Sequence, residues 1–304
     1  MDFSKYIFRS HMVGKIINVP KSLTQKQKDV YKDYTDRKNG IGRPLTDIQL
    51  ATWGKYYLID NEKPSLTDGQ KNILSELVFA EKYGRKKEIN SDKLRKGIEK
   101  EKEARDLLSF ETGLFLTACE ERKENKYVTG AIDIKPNNVI TDIKCSWNWE
   151  SYSKILNDKP NEVYLRQLDS YMDLWGIKDS LLCHVLLDTP YSIVEKEIRK
   201  KDWELNILDV EGNIREERID EVKKIISNHI FTRKGIEGFC EYSSNIEIEW
   251  FGDFKEIPSK ERIHMIPHSF SKERIEQRNE CIAIARKYMN KVNPINNFNT
   301  SLIS

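Results

Sequence analysis

The chain lacks three short motifs that tie a sequence to nucleotide or serine chemistry. Its 304 residues contain no GxGxxG, no GxxxxGKS/T and no GxSxG, which excludes the glycine-built phosphate cradles and the nucleophile elbow. No nucleotide cofactor is expected. The five cysteines, Cys119, Cys145, Cys183, Cys240 and Cys281, are scattered with no CxxC pair. That argues against a zinc ribbon or a disulfide framework and for reduced, mostly buried thiols. No apolar stretch approaches the roughly 18 residues that span a bilayer. The first residues, MDFSKYIFRSHMVGK, lack the apolar run of a signal peptide. The expectation is a cytoplasmic protein with no membrane partner. An excess of one charge is missing too. With 51 Lys and Arg against 49 Asp and Glu, the formal net charge is +2. No global basicity announces nucleic-acid binding, although such an average hides local basic grooves.

Aromatic residues, by contrast, are plentiful, and 6 Trp, 13 Tyr and 11 Phe suffice for packed cores. The length suits one large or two modest domains. Residues 1–90 read as a mainly helical extension, with Ser22, Thr46 and Thr67 opening helices and a basic turn over 82–87. Ser91 is placed to cap a long helix ending at Gly113. Strands are predicted at 114–121, 126–134 and 139–146, joined by a charged turn from Arg122 to Asn125 and a second turn, Lys135 to Asn138. A loop is expected over 147–160, then a helix from Asn161 to Gly176. The apolar run 180–188 reads as a central strand, and 191–199 alternates like an edge strand. Residues 201–304 form an α+β extension. It holds a helix over 216–231, strands over 246–252 and at RIHMIPH, a closing helix after Ser271 and an Asn-rich tail that frays. The fold class is α/β, a mixed sheet flanked by helices, with its core over 91–200.

Chemistry concentrates between Tyr127 and Trp147. Asp142 and Lys144 are two apart on a strand and share one face. Asp133 joins them if its strand pairs in suitable register. Aspartate carboxylates are hard oxygen ligands that suit Mg²⁺ or Mn²⁺, and the backbone carbonyl of Ile143 is a further candidate ligand. Lysine can assist a water because its pKa falls readily in a desolvated site. The Asp-x-Lys triplet is weak by itself. In a chain that is 33% charged, an acidic-x-Lys triplet also starts at Asp36, Glu124, Asp133, Glu221 and Asp253. What gives it weight is the company it keeps. Upstream, Gly97, Glu101 and Ala104 fall on about one side of a helix; the small residues would let that helix approach a sheet, and Glu101 would be a third carboxylate. Downstream, Gln167 and Tyr171 share a helix face. Trp147 can stack on splayed bases, and Arg166 can contact phosphate. His184 reads as a core residue.

The ordered series GxxxExxA, GxxD, DxK and YxxQxxxYM resembles the PD-(D/E)XK nuclease superfamily, most closely its phage lambda-exonuclease (YqaJ-type) and RecB-like branches. The match covers about 97–176. Ile132 stands where the superfamily often has proline, and Asp142 where it often has glutamate. The resemblance implies a restriction-endonuclease-like core of helix, three-stranded meander, helix and strand. It implies a Mg²⁺- or Mn²⁺-dependent deoxyribonuclease with one or two ions. Glu101, Asp133, Asp142 and Lys144 would be catalytic, the three carboxylates and the Ile143 carbonyl would hold metal, and Gln167, Tyr171, Ser146, Trp147 and Arg166 would support substrate. An exonuclease of phage-type recombination, replication or DNA processing is favoured, in the cytoplasm of a bacterial host. The partners implied are DNA, a single-strand annealing or other recombination protein, and further copies of the chain. A structure-specific or restriction-like endonuclease and a non-catalytic DNA-binding module stay open. The iron–sulfur cluster of some RecB-like relatives is not expected.

Overall fold

A computed structural model describes residues 1–18, 23–85 and 91–292. The chain divides into two compact units. One comprises Met1–Phe8, Lys15–Lys86 and Lys272–Ser304; the other comprises Arg9–Gly14 and Lys87–Ser271. A short strand β1 (Phe8–Arg9) and helix α1 (Ser10–Ile16) begin the chain. Ser22, the tail 293–304 and the end of the basic turn lie outside the described residues.

The first unit is helical. Helices α2 (Gln25–Lys38), α3 (Asp47–Asp60) and α4 (Asp68–Tyr83) each open on the same capping box. Thr24, Thr46 and Thr67 accept from the N3 backbone, and Gln27, Gln49 and Gln70 reach back to the cap. The closing helix, Lys272–Val292, is present as expected. It packs on α4, where Leu74 and Val78 are buried, and contributes Ile282, Ala285 and Met289.

In the second unit the expected long helix is two. Helix α5 (Asp92–Glu99) and helix α6 (Glu101–Thr112) are separated at Lys100, and Ser91 makes no side-chain cap bond. Gly113 closes α6 in the left-handed region, φ +68°. Residues 114–121 are not a strand. The next strand, β2 (Arg122–Glu124), occupies the predicted turn and pairs antiparallel with β3 (Val128–Ala131). The turn at 136–138 holds, with Asn137 and Asn138 at positive φ, a conformation asparagine tolerates. Strand β4 (Ile140–Cys145) follows. Residues 149–157, expected as loop, are helix α7 (Trp149–Asn157), because Asn148 and Ser151 form a capping box. Helix α8 (Glu162–Trp175) starts at the Asn161 cap and ends at Gly176 as read.

Strand β5 (Asp179–Val185) is central: β4 pairs with it in parallel and β6 (Ile263–Ser269) antiparallel. Residues Asp142 and Lys144 stand opposite Leu182 and His184. Alternate residues of β5 serve alternate faces. Leu182 packs with Ile140, Leu168 and Met172 on the α8 side; Cys183 and Val185 pack with Ala104 and Leu108 of α6 on the other. Residues 191–205 are helix α9 (Tyr191–Leu205), not an edge strand, and bury Ile193, Val194 and Ile198. Helices α10 (Ile219–His229) and α11 (Arg233–Tyr242) complete a separate apolar cluster around Val222, Ile226, Ile236 and Phe239. The strand expected at 246–252 is a short 3-10 turn, Ile248–Phe251. No helix among the described residues is long and apolar enough to cross a membrane.

Candidate active site

Strand β4 sets Asp142 and Lys144 on one face. Asp142 is 1% exposed. Its Oδ2 lies 2.8 Å from Lys144 Nζ and has no well-aligned hydrogen bond. Its Oδ1 accepts from Gln167 Nε2 at 3.2 Å, and the same nitrogen donates to the Tyr171 hydroxyl at 2.8 Å. A polar chain thus runs Tyr171, Gln167, Asp142, Lys144 from α8 onto β4. Gly130 of β3 explains how Tyr171 gets there. A Cβ on Gly130 would stand 2.6 Å from Tyr171 Cε1 and 2.7 Å from Ser10 Oγ. The glycine of GxxD is therefore a packing requirement of the tyrosine ring, not a turn.

Asp133 lies just past the end of β3 rather than within a strand. Its Oδ2 accepts from the Ile143 N–H at 2.7 Å. In a strand the N–H and C=O of one residue point to the same edge, so the Ile143 carbonyl opens on the edge that Asp133 occupies. Burial pushes the Asp133 carboxyl up to about 7. Asp142 and, more weakly, Glu101 push the same way, against the Ile143 N–H and Lys144. Asp142 is also raised by burial, with Lys144 opposing. Burial pulls Lys144 down, but its pairing with Asp142 outweighs that and holds the ammonium above its ordinary value. The expectation of a lysine lowered by desolvation is reversed here, because a buried carboxylate sits on it. Burial and Asp142 push Tyr171 up to about 12, so it acts as a neutral hydroxyl.

Glu101 is the first residue of α6 and lines the same cleft, of about 340 Å³, as Asp133, Asp142, Lys144 and Gln167. Its carboxylate is turned to Arg105 Nη1 at 2.6 Å, one helical turn on. Among the described residues no three Asp, Glu, His or Cys side chains are gathered as a metal-ligand set. Gly97 also lines the cleft, and a Cβ there would meet nothing within 4 Å. Its smallness is not needed for helix-to-sheet approach; Ala104, fully buried, serves that contact.

The remaining candidates lie off the cleft. Arg166 pairs with Glu162 at 3.7 Å and Asp169 at 3.8 Å. Ser146 is buried and donates its N–H to Val185 O. Trp147 packs edge-on against His229 with ring centroids 5.1 Å apart. One cleft residue was given no role from sequence: the Tyr164 ring lies 5.0 Å from Lys144 Nζ. Its spacing of three before Gln167 in YxxQ was the available signal. His184 is buried, and burial with His264 nearby takes its ring down to about 4.

Neither the protein-family models nor the curated proteins compared with the sequence give a match. Among solved structures, a phage-related exonuclease from Haemophilus somnus 129PT is 20% identical, with a TM-score of 0.55 over 99% of this chain and 97% of that one. An alkaline exonuclease from Laribacter hongkongensis is 14% identical, with a TM-score of 0.45 over 75% of this chain and 84% of its own. In its complex with dAMP the score is 0.44. Almost the whole chain therefore shares the fold of the phage-related exonuclease from Haemophilus somnus 129PT.

Proposed function

We propose that the protein is a Mg²⁺- or Mn²⁺-dependent deoxyribonuclease of the PD-(D/E)XK type, acting as an exonuclease in phage-type recombination, replication or DNA processing. Residues 91–200 are its restriction-endonuclease-like core, with 1–90 and 201–304 as additions. The observation that carries this is the convergence of Asp133, Asp142, Lys144 and Gln167 on one cleft from separate elements. The shared fold with a phage-related exonuclease supports it.

The donor set suits a hard divalent ion. Asp142 Oδ2 is buried and lacks a well-aligned hydrogen bond, and two carboxylates with a backbone carbonyl are oxygen ligands of the right kind. Asp133, Asp142 and the Ile143 carbonyl would hold the ion, joined by Glu101 once it leaves Arg105. The ion supplies charge neutralisation at a phosphodiester oxygen and a more acidic water. Lys144 enters as an ammonium, since Asp142 holds its proton. In that form it donates to a phosphate oxygen or the attacking water and balances negative charge. Gln167 is fixed by Tyr171 and keeps Asp142 oriented.

The deciding experiment is a digestion time course on end-labelled linear DNA and on closed circular DNA with Mn²⁺. Loss of linear substrate by wild type but not by Lys144→Ala supports the reading. No cleavage of any DNA overturns it, and cutting of closed circles replaces exonuclease by endonuclease.

A pH dependence follows from Asp133. Its proton competes with the metal below about 7. Mn²⁺ affinity should therefore fall about tenfold for each pH unit below that value. Calorimetric titration at pH 6, 7 and 8 checks this, and a flat response would remove Asp133 from the ligand set. Without metal the sign for stability is the opposite of the usual carboxylate case. The folded protein keeps a proton that the unfolded chain loses at 3.8. This group therefore costs stability as pH rises from about 4 to about 7.

A further inference from the structure

Helix α5 is mounted inside out. A helix on a globular domain normally turns its apolar stripe inward. Here the one buried side chain is Lys96, 1% exposed. Leu94 and Ile98 are 45% and 65% exposed and line the catalytic cleft. The Lys96 ammonium donates to the Trp147 carbonyl at 2.9 Å and lies 5.6 Å from the centre of the Phe231 ring. No carboxylate among the described residues is paired with it. Burial pulls the group down to about 7; Cys145, Asp188 and Glu103 act against that, and Lys100 with it. His229, which packs on Trp147, is lowered by burial and by Lys96 in turn.

A lysine head group buried on one acceptor and one aromatic face, its charged form disfavoured by burial, is a poor way to hold a helix by stability alone. What it offers is direction. Trp147 is three residues beyond Lys144, on the segment leaving β4. Helix α5 leads into α6, whose first residue is Glu101. The Lys96 bond thus spans the wall and floor of the cleft. Apolar packing would let the wall slide; a donor aimed at one carbonyl does not.

We infer that Lys96 is a positioning residue that holds α5, and with it Glu101, at a fixed distance from the Asp142 strand at the expense of stability. The activity readout rests on the nuclease reading above; the structural readout does not.

Lys96→Met has nearly the same length and neither charge nor donor. Its melting temperature at pH 7 is expected to equal or exceed that of wild type. Amide hydrogens of α5 should exchange faster while the sheet exchanges as before. Mn²⁺-dependent cleavage of linear DNA should fall by about 10- to 100-fold, mainly in kcat. Lys96→Gln, a neutral donor one atom shorter, should recover part of both the protection and the rate. Wild-type exchange and wild-type cleavage in Lys96→Met would overturn the inference. So would a parallel loss of stability, activity and protection across the whole unit, which would make Lys96 merely structural. If wild type itself does not cleave DNA, the nuclease reading fails, and the exchange comparison still decides the role of Lys96.

Discussion

Asp142→Asn is expected to abolish DNA cleavage while leaving a folded protein. The side chain is 1% exposed and joins three partners of the site: Lys144 by charge, Gln167 by hydrogen bond and, in the proposed reaction, the metal. Asparagine keeps the shape and still accepts from Gln167. It cannot supply the charge that binds a divalent ion, and losing several kcal/mol of transition-state stabilisation corresponds to about 10³-fold in rate. Removing one member of a buried ion pair usually destabilises strongly. Here two features soften that cost. The Lys144 side chain is 24% exposed, and Asp133 also attracts its ammonium. A second signature separates this from general damage. Asp142 is, after burial, the main influence raising Asp133, so Asp133 should titrate lower in Asp142→Asn. Nuclease assays, calorimetric unfolding and carboxyl-carbon NMR titration read the three effects. Retained cleavage would dismiss Asp142 as the central ligand.

Gly130→Ala should be nearly as damaging, by a different route. Alanine for glycine at a compatible position stabilises by about 0.4–1 kcal/mol through the unfolded chain. At Gly130 the new methyl would lie 2.6 Å from an edge carbon of Tyr171 and 2.7 Å from Ser10 Oγ. Tyr171 is itself buried against the α8 core, so the ring has little room to retreat. Overpacking of this kind costs about 1–3 kcal/mol. A displaced ring would carry its hydroxyl from Gln167 and loosen the orientation of Asp142. Urea unfolding should show the lower midpoint, and cleavage should drop with it. Gly97→Ala is the control for stability, since nothing lies within 4 Å of its Cβ. Equal midpoints for Gly130→Ala and wild type would refute the packing account of the GxxD glycine.

The polar constellation was legible because it depends on spacing within single elements. Asp142 and Lys144 need only a strand, and Gln167 and Tyr171 need only a helix; both exist, and one cleft receives the first three. The chain around it was less legible. Residues 191–199 fit two periodicities, since Tyr191 and Ile193 alternate while Ile193, Val194 and Ile198 also make a helical stripe. The chain continues as helix to Leu205, and nine residues do not show that. Residues 114–121 have a strand's composition but, among the described residues, no neighbour to pair with beyond the Cys119 N–H bond to Asp133 O. Helix α7 was hidden by its polar flanks, although Asn148 and Ser151 carried its cap. Lys96 looked like one more charge on a charged helix. Its burial depends on Phe231 and Trp147, residues too distant in sequence for local pattern to link them.

The Asp133 bond to the Ile143 N–H has a consequence for solubility. Among the described residues, β4 has a paired strand, β5, on one side only. On its free edge, Thr141 exchanges bonds with Ile134 and the Ile143 donor goes to the Asp133 carboxylate. A side chain thereby stands in for a neighbouring strand and closes an edge that would otherwise template pairing with another molecule. In the proposed reaction the same carboxylate would also hold the ion. Its loss would then open the edge of β4 as well as remove the proposed ligand.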